Sequence, residues 1–150
     1  AIRPALAPLV ADLGRIDTLL VHGEQADAGM PWIGPAGSFT PLHHDLTNNL
    51  FVQIVGRKRV VMAPSIDTPK LSNERAVFSE IGDLTDPAID PERHPLAHRA
   101  RLFDFVLEPG DALFIPIGWW HQIRALDFSV SYTYTNFRWP NHWHESYPPG

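Results

Sequence analysis

Proline, more than any other residue, limits what this chain can build: fifteen prolines are spread through 150 residues, with ten glycines among them. A proline inside a helix removes a hydrogen bond and clashes with the preceding turn, and in a central strand it removes a ladder donor. Long helices are therefore disfavoured, and many short strands joined by tight turns fit best. The sixteen aromatics (five Trp, three Tyr, eight Phe) point the same way, because bulky rings suit a pleated, half-buried surface. An all-helical bundle does not fit.

Within that frame the hydrophobic spacing marks the elements. Leu6, Leu9, Val10, Leu13 and Ile16 recur at helical spacing and predict one short amphipathic helix, with Pro8 in its first turn. The runs 50–55 and 59–63 read as strands, and the Gly56-Arg57-Lys58 link between them predicts a hairpin. A second hairpin is predicted from 101–107, the Glu108-Pro109-Gly110-Asp111 turn and 112–115. Residues 64–100 are polar and proline-punctuated and read as a long insertion between strand groups. Within it Glu80, Asp83 and Asp86 read as a solvated acidic face. The last strand, 128–137, alternates Phe128, Val130, Tyr132, Tyr134 and Asn136 with Ser129, Ser131, Thr133 and Thr135, and the bulky row is predicted to face the core. The layout is a helical lead-in over 1–31, one β domain over 32–139 carrying the insertion, and a tail over 140–150. The fold class is all-β, a sandwich or small barrel.

Composition narrows the chemistry. With no cysteine, disulfides, thiolate metal sites and thiol nucleophiles are excluded, and the cytoplasm is the default compartment. A formal charge of −5 argues against a nucleic acid or an anionic membrane as partner, since both call for a basic footprint. No apolar run approaches the roughly 20 residues of a membrane-spanning helix.

The residues that carry chemistry lie in two places. His43-His44-Asp45 contains a His-x-Asp pair, and in an extended segment positions two apart point the same way, so His43 and Asp45 can grip one ion while His44 turns from it. Far along the chain Gly110, Pro116 and Gly118 lead into Trp119-Trp120-His121, and His121 can supply a third ligand. Two imidazoles and one carboxylate on one face of an ion form the facial set of non-haem Fe(II) oxygenases, and zinc or manganese accepts the same donors.

The motifs extend beyond these ligands. Gly37, five residues, His43-x-Asp45, three residues, Asn49, six residues and Gly56 follow the first cupin motif, and Gly110, five residues, Pro116-x-Gly118, two residues and His121 follow the second. With Trp32-Ile33-Gly34 and Asn49 through Lys58, the chain resembles the cupin-like JmjC-type Fe(II)/2-oxoglutarate-dependent hydroxylases. It is similar by motif to the asparaginyl hydroxylase that acts on hypoxia-inducible factor. The resemblance implies a double-stranded β-helix (cupin jelly-roll) with Fe(II) held by His43, Asp45 and His121. It implies that Lys58 pairs with the distal carboxylate of 2-oxoglutarate, and that Thr40 and Asn136 hydrogen-bond the cosubstrate or its surroundings. Asn49 stands beside the metal, and Phe51 and Trp139 fall at aromatic wall positions. No catalytic residue beyond the metal ligands is implied. The activity implied is hydroxylation of an amino-acid side chain in a protein or peptide, with demethylation as the same chemistry on another carbon. A zinc- or manganese-dependent cupin isomerase or hydrolase, and a non-catalytic cupin binding module, are the rival readings. Oligomeric state is not legible in the sequence.

Overall fold

The computed structural model describes residues 8, 13, 16–21, 29–73 and 76–141. The helix expected over 6–16 falls mostly outside them, and so does the tail from residue 142 onward. Eight strands are present among the described residues: β1 (Met30–Gly34), β2 (Phe39–His44), β3 (Asn49–Val55), β4 (Lys58–Ala63), β5 (Phe103–Leu107), β6 (Ala112–Ile115), β7 (Trp120–Ala125) and β8 (Ser129–Tyr134). They form two four-stranded sheets, ordered β1-β8-β3-β6 and β2-β7-β4-β5, with every pair antiparallel. This is the jelly-roll expected. No helix among the described residues is long and apolar enough to cross a membrane.

Neither predicted hairpin exists. β3 pairs with β6 and β8, while β4 pairs with β5 and β7, so the turn at Gly56 carries the chain from one sheet to the other. The turn at Pro109-Gly110 does the same between β5 and β6. A short turn after a strand has two uses, pairing with the next strand or crossing to the facing sheet, and the turn residues are the same for both. At Gly56 the backbone takes φ +68°, and a Cβ there would stand 2.1 Å from the Phe128 carbonyl oxygen, so only glycine fits the crossing. The Gln53 side-chain amide donates to the Val55 and Gly56 carbonyls, each at 2.8 Å, satisfying acceptors that the crossing leaves outside a ladder.

Three apolar clusters hold the sheets. Between them lie Phe51, Val60, Met62, Leu107, Ile115 and Ile123. Outside the first sheet Leu50, Tyr132 and Tyr134 pack with Leu20 and Phe137. Outside the second, Leu42, Ala63 and Trp120 are covered by Leu71 and Leu84 of the insertion. Each of those two leucines contributes about 1.5–3 kcal/mol by burial, so the insertion is a structural cover as well as a loop. The Trp120 indole N–H donates to Thr68 in the same layer, at 2.9 Å.

These clusters correct the reading of β8. Tyr132 and Tyr134 face away from the space between the sheets, and the hydroxyl row of Ser131, Thr133 and Thr135 faces into it. Alternation fixes which residues share a face, but it does not say which face is inside when the interior is a polar cavity.

Asp83 ties the insertion to β7. Its carboxylate accepts hydrogen bonds from the Thr85 N–H and hydroxyl, from Gln122 and from Arg124, at 2.6–2.8 Å. Burial opposes its ionisation, but the hydrogen bonds together outweigh burial and hold the carboxyl down to about 2. Asp83 is thus a structural link, and Glu80 pairs with Arg93 while Asp86 receives the Ala88 N–H. Asp83→Ala is expected to destabilise the fold by about 1–3 kcal/mol in urea titrations. A carboxyl whose pKa is lowered by folding supports the fold above its ordinary value of 3.8, and that support is lost as pH falls towards about 2. The variant's stability curve should therefore be flatter than the wild type's across that window.

Candidate metal centre

The first ligand is aimed by an irregularity in β2. Thr40 pairs with Ile123 and His43 with His121, so three steps along β2 match two along β7. The extra residue at Pro41-Leu42 is a bulge that returns His43 to the inner face with Thr40 and turns Leu42 outward, fully buried in the cluster under the insertion. In an unbulged strand running on from Thr40, His44 would face the interior instead. The observed His44 is buried outside the sheet, its ring edge-on to Trp120 with centroids 4.8 Å apart.

His43, Asp45 and His121 converge, with one ligand atom from each lying within 4.8 Å of the other two. His43 Nε2 stands 3.9 Å and His121 Nε2 3.6 Å from the Asp45 carboxylate. Both imidazoles are oriented by main-chain carbonyls: His43 Nδ1–H donates to Pro41 at 2.8 Å, and His121 Nδ1–H donates to Trp119 at 3.0 Å. A carbonyl can only accept, so Nδ1 carries a proton in each ring and Nε2 is the atom left to meet an ion. Asn49 Nδ2 donates to Asp45 at 2.5 Å and fixes that side chain, while the Gly118 N–H holds the Asp45 carbonyl at 3.0 Å. His121 is 3% exposed, and burial, reinforced by the neighbouring His43, pushes its pKa down to about 4. It is therefore neutral near pH 7, the state a metal ligand needs. Two pre-oriented imidazoles and one carboxylate fit a divalent ion with further positions open.

The ligands open onto a cavity of about 300 Å³ between the sheets, whose wall also includes Trp32, Thr40, Asn49, Phe51, Lys58, Thr133 and Thr135. Lys58 is the other charged group of this wall. Its side chain is buried, its ammonium donates to Ser131 Oγ at 2.7 Å and lies 5.2 Å from the centre of the Phe51 ring, and no carboxylate among the described residues pairs with it. Burial lowers its pKa. A cation site and a buried, uncompensated ammonium in one cavity suit a small dianionic acid that spans them.

Of the residues expected at the site, His43, Asp45, His121, Thr40, Asn49, Lys58 and Phe51 meet in this cavity. Asn136 is not among its lining residues. It continues the outward row of Tyr132 and Tyr134, and its amide donates to the Val21 carbonyl. Trp139 stacks on Phe137 with ring centroids 4.6 Å apart, and it too is absent from the cavity wall. Sequence reasoning missed Ser131 and Thr133, which bond Lys58 and the Trp32 indole N–H, the latter at 3.0 Å. Their signal was the unbroken hydroxyl row at period two.

A family model described as a cupin-like domain matches residues 4–142. The chain is 39% identical over 104 residues to the Jumonji C domain-containing protein 5 of Drosophila melanogaster, covering 67% of this chain and 26% of that protein. It is 37% identical over 128 residues to the lysine-specific demethylase JMJ30 of Arabidopsis thaliana, covering 83% of this chain and 29% of that protein. The chain thus spans under a third of the length of either relative. Among solved structures, the ribosomal oxygenase YcfD of Escherichia coli, in complex with cobalt and 2-oxoglutarate, aligns with 26% identity over 73% of this chain and 22% of its own, at a TM-score of 0.45.

Proposed function

Since the chain belongs to the cupin-like domain family, we propose that it is an Fe(II)- and 2-oxoglutarate-dependent oxygenase that hydroxylates an amino-acid side chain of a protein or peptide. The observation that carries this reading is the presence in one cavity of the His43–Asp45–His121 donor set and the buried Lys58 ammonium. The Lys58 ammonium offers a partner to a carboxylate-bearing cosubstrate, which an isomerase or hydrolase that uses only the metal on an uncharged substrate does not need. A relative's name, lysine-specific demethylase, supports a protein substrate, and removal of an N-methyl group is the same chemistry directed at another carbon.

His43 Nε2, the Asp45 carboxylate and His121 Nε2 would hold the ion, and Lys58 with Thr40 would take the distal carboxylate of the cosubstrate. When bound, the iron and 2-oxoglutarate supply oxidative decarboxylation to succinate and carbon dioxide, coupled to insertion of oxygen into a C–H bond. The chain's own work is positional. Asn49 keeps the Asp45 carboxylate turned to the ion, the two carbonyl-bound imidazoles keep their lone pairs on it, and Phe51, Ile115 and Ile123 exclude water from the cosubstrate's path.

Anaerobic titration of the Fe(II)-loaded chain with 2-oxoglutarate is expected to produce a visible metal-to-ligand charge-transfer band, and admission of oxygen should then release succinate. Iron binding with neither band nor succinate would overturn the reading.

A further inference from the structure

Behind Lys58, away from the metal ligands, the interior does not close. A recess of about 110 Å³ lies there, lined by Lys58 and Thr40, by the large side chains of Trp32, Ile33, Phe39 and Ile123, and by Gly34, Ser38, Ala125 and Ser129. The recess is not sealed from solvent: Trp32, Ile33 and Ser38 on its wall are exposed. Four of these lining residues, Gly34, Ser38, Ala125 and Ser129, are small. Ser129 is 1% exposed, and its hydroxyl has no hydrogen-bond partner. It lies two positions from Ser131 on β8, on the same face, so the two hydroxyls form a row roughly 7 Å long pointing inward. Lys58 holds one end of that row, with its bond to Ser131, and the other end is free.

We propose that this recess is an extension of the cosubstrate subsite, in which Lys58 recedes along the Ser131–Ser129 row so that the cavity accepts a 2-oxo diacid one methylene longer than 2-oxoglutarate. The proposal rests on the reading of Lys58 as the anchor of the distal carboxylate. One added methylene displaces that carboxylate by about 1.5 Å, one carbon–carbon bond, which is well within the row's length. The lysine stem has four flexible carbons and its ammonium three donors, so it can follow the carboxylate while keeping one hydroxyl and gaining the other. The ammonium is never left unpaired in the interior, the condition that would make the movement prohibitive.

Calorimetric titration of the Mn(II)-loaded chain, which does not turn over, with 2-oxoglutarate and with 2-oxoadipate tests this. The wild type is expected to bind the two acids within about tenfold of one another, a difference of no more than about 1.4 kcal/mol. Ser129→Val fills the recess and removes the free hydroxyl; it should weaken 2-oxoadipate by about tenfold or more and leave 2-oxoglutarate within about twofold. Ser129→Ala, the milder change, should shift the same preference in the same direction should the valine variant fail to fold. Wild-type protein that binds 2-oxoglutarate but rejects 2-oxoadipate by more than about a hundredfold, or Ser129 variants that weaken both acids alike, would overturn the proposal and leave the cosubstrate reading standing. Metal-loaded protein that binds neither acid would overturn both.

Discussion

Asp45→Ala is expected to abolish tight metal binding, and with it all oxygenase turnover, while leaving the fold intact. The carboxylate is the one anionic donor of the set, and without it two imidazoles, that of His121 with its pKa depressed by burial, face the ion alone. Changes to groups that merely orient a ligand typically lower affinity by about 10–100-fold, so loss of the charged ligand itself should exceed that range. The fold should tolerate the change. The Asp45 side chain is 35% exposed, it closes no apolar cluster, and the bond that anchors its backbone runs from the Gly118 N–H to its carbonyl, which alanine keeps. Calorimetry with Mn(II) beside a thermal melt separates the two effects. His44→Ala is the informative control, because His44 neighbours both ligands in sequence yet faces the Trp120 layer; it should lose stability and keep the metal. Retention of metal affinity and turnover by Asp45→Ala would remove the donor set from the function.

The metal ligands were legible in the sequence because each rests on local geometry. His43 and Asp45 are two apart in an extended segment, and His121 follows a Pro-x-Gly bend that starts a strand, so short spacing carried the information. Even there the sequence concealed the means: His43 faces inward from Thr40 only through the bulge at Pro41-Leu42, and neither residue announces one. Strand partners were not legible. The Gly56 and Gly110 turns read as hairpins because the same residues serve a turn within a sheet and a turn between sheets, and the choice is made by pairings more than forty residues distant, such as Lys58 with Leu107 and Leu50 with Tyr134. The face of β8 was misread for another reason. Bulky residues are normally inside, but here the interior next to β8 is the cavity, and Tyr132 and Tyr134 find their burial on the outer side against Leu20 and Phe137. That one inversion carried Asn136 to the wrong side and hid Ser131 and Thr133, since all three follow from the parity of a single strand.

The second large effect is expected from Lys58→Met, and it has two parts of opposite sign. Methionine keeps most of the stem's volume and removes the charge, so the apparent requirement for 2-oxoglutarate should rise by about 10–100-fold, the loss of a hydrogen-bonded charge contact of about 1.5–3 kcal/mol. Affinity for Mn(II) alone should not change, because no metal ligand contacts the lysine. The acid-free protein, in contrast, should become more stable. In the wild type Lys58 is 8% exposed, its ammonium has one neutral hydroxyl as its hydrogen-bond partner and an aromatic ring beside it, and replacing an under-compensated buried charge with an apolar group of similar size is commonly stabilising by about 1–4 kcal/mol. At about 2–4 °C per kcal/mol for a chain of this size, the melting temperature should rise by several degrees. Addition of 2-oxoglutarate should then raise the wild-type melt and leave that of the variant nearly unmoved. A lysine whose role was only to bond Ser131 would behave otherwise, since its loss would lower stability and leave the cosubstrate requirement unchanged. The two melts, with and without the acid, therefore distinguish an anchor waiting for its anion from a structural cation, and an unchanged requirement for 2-oxoglutarate would remove Lys58 from the site.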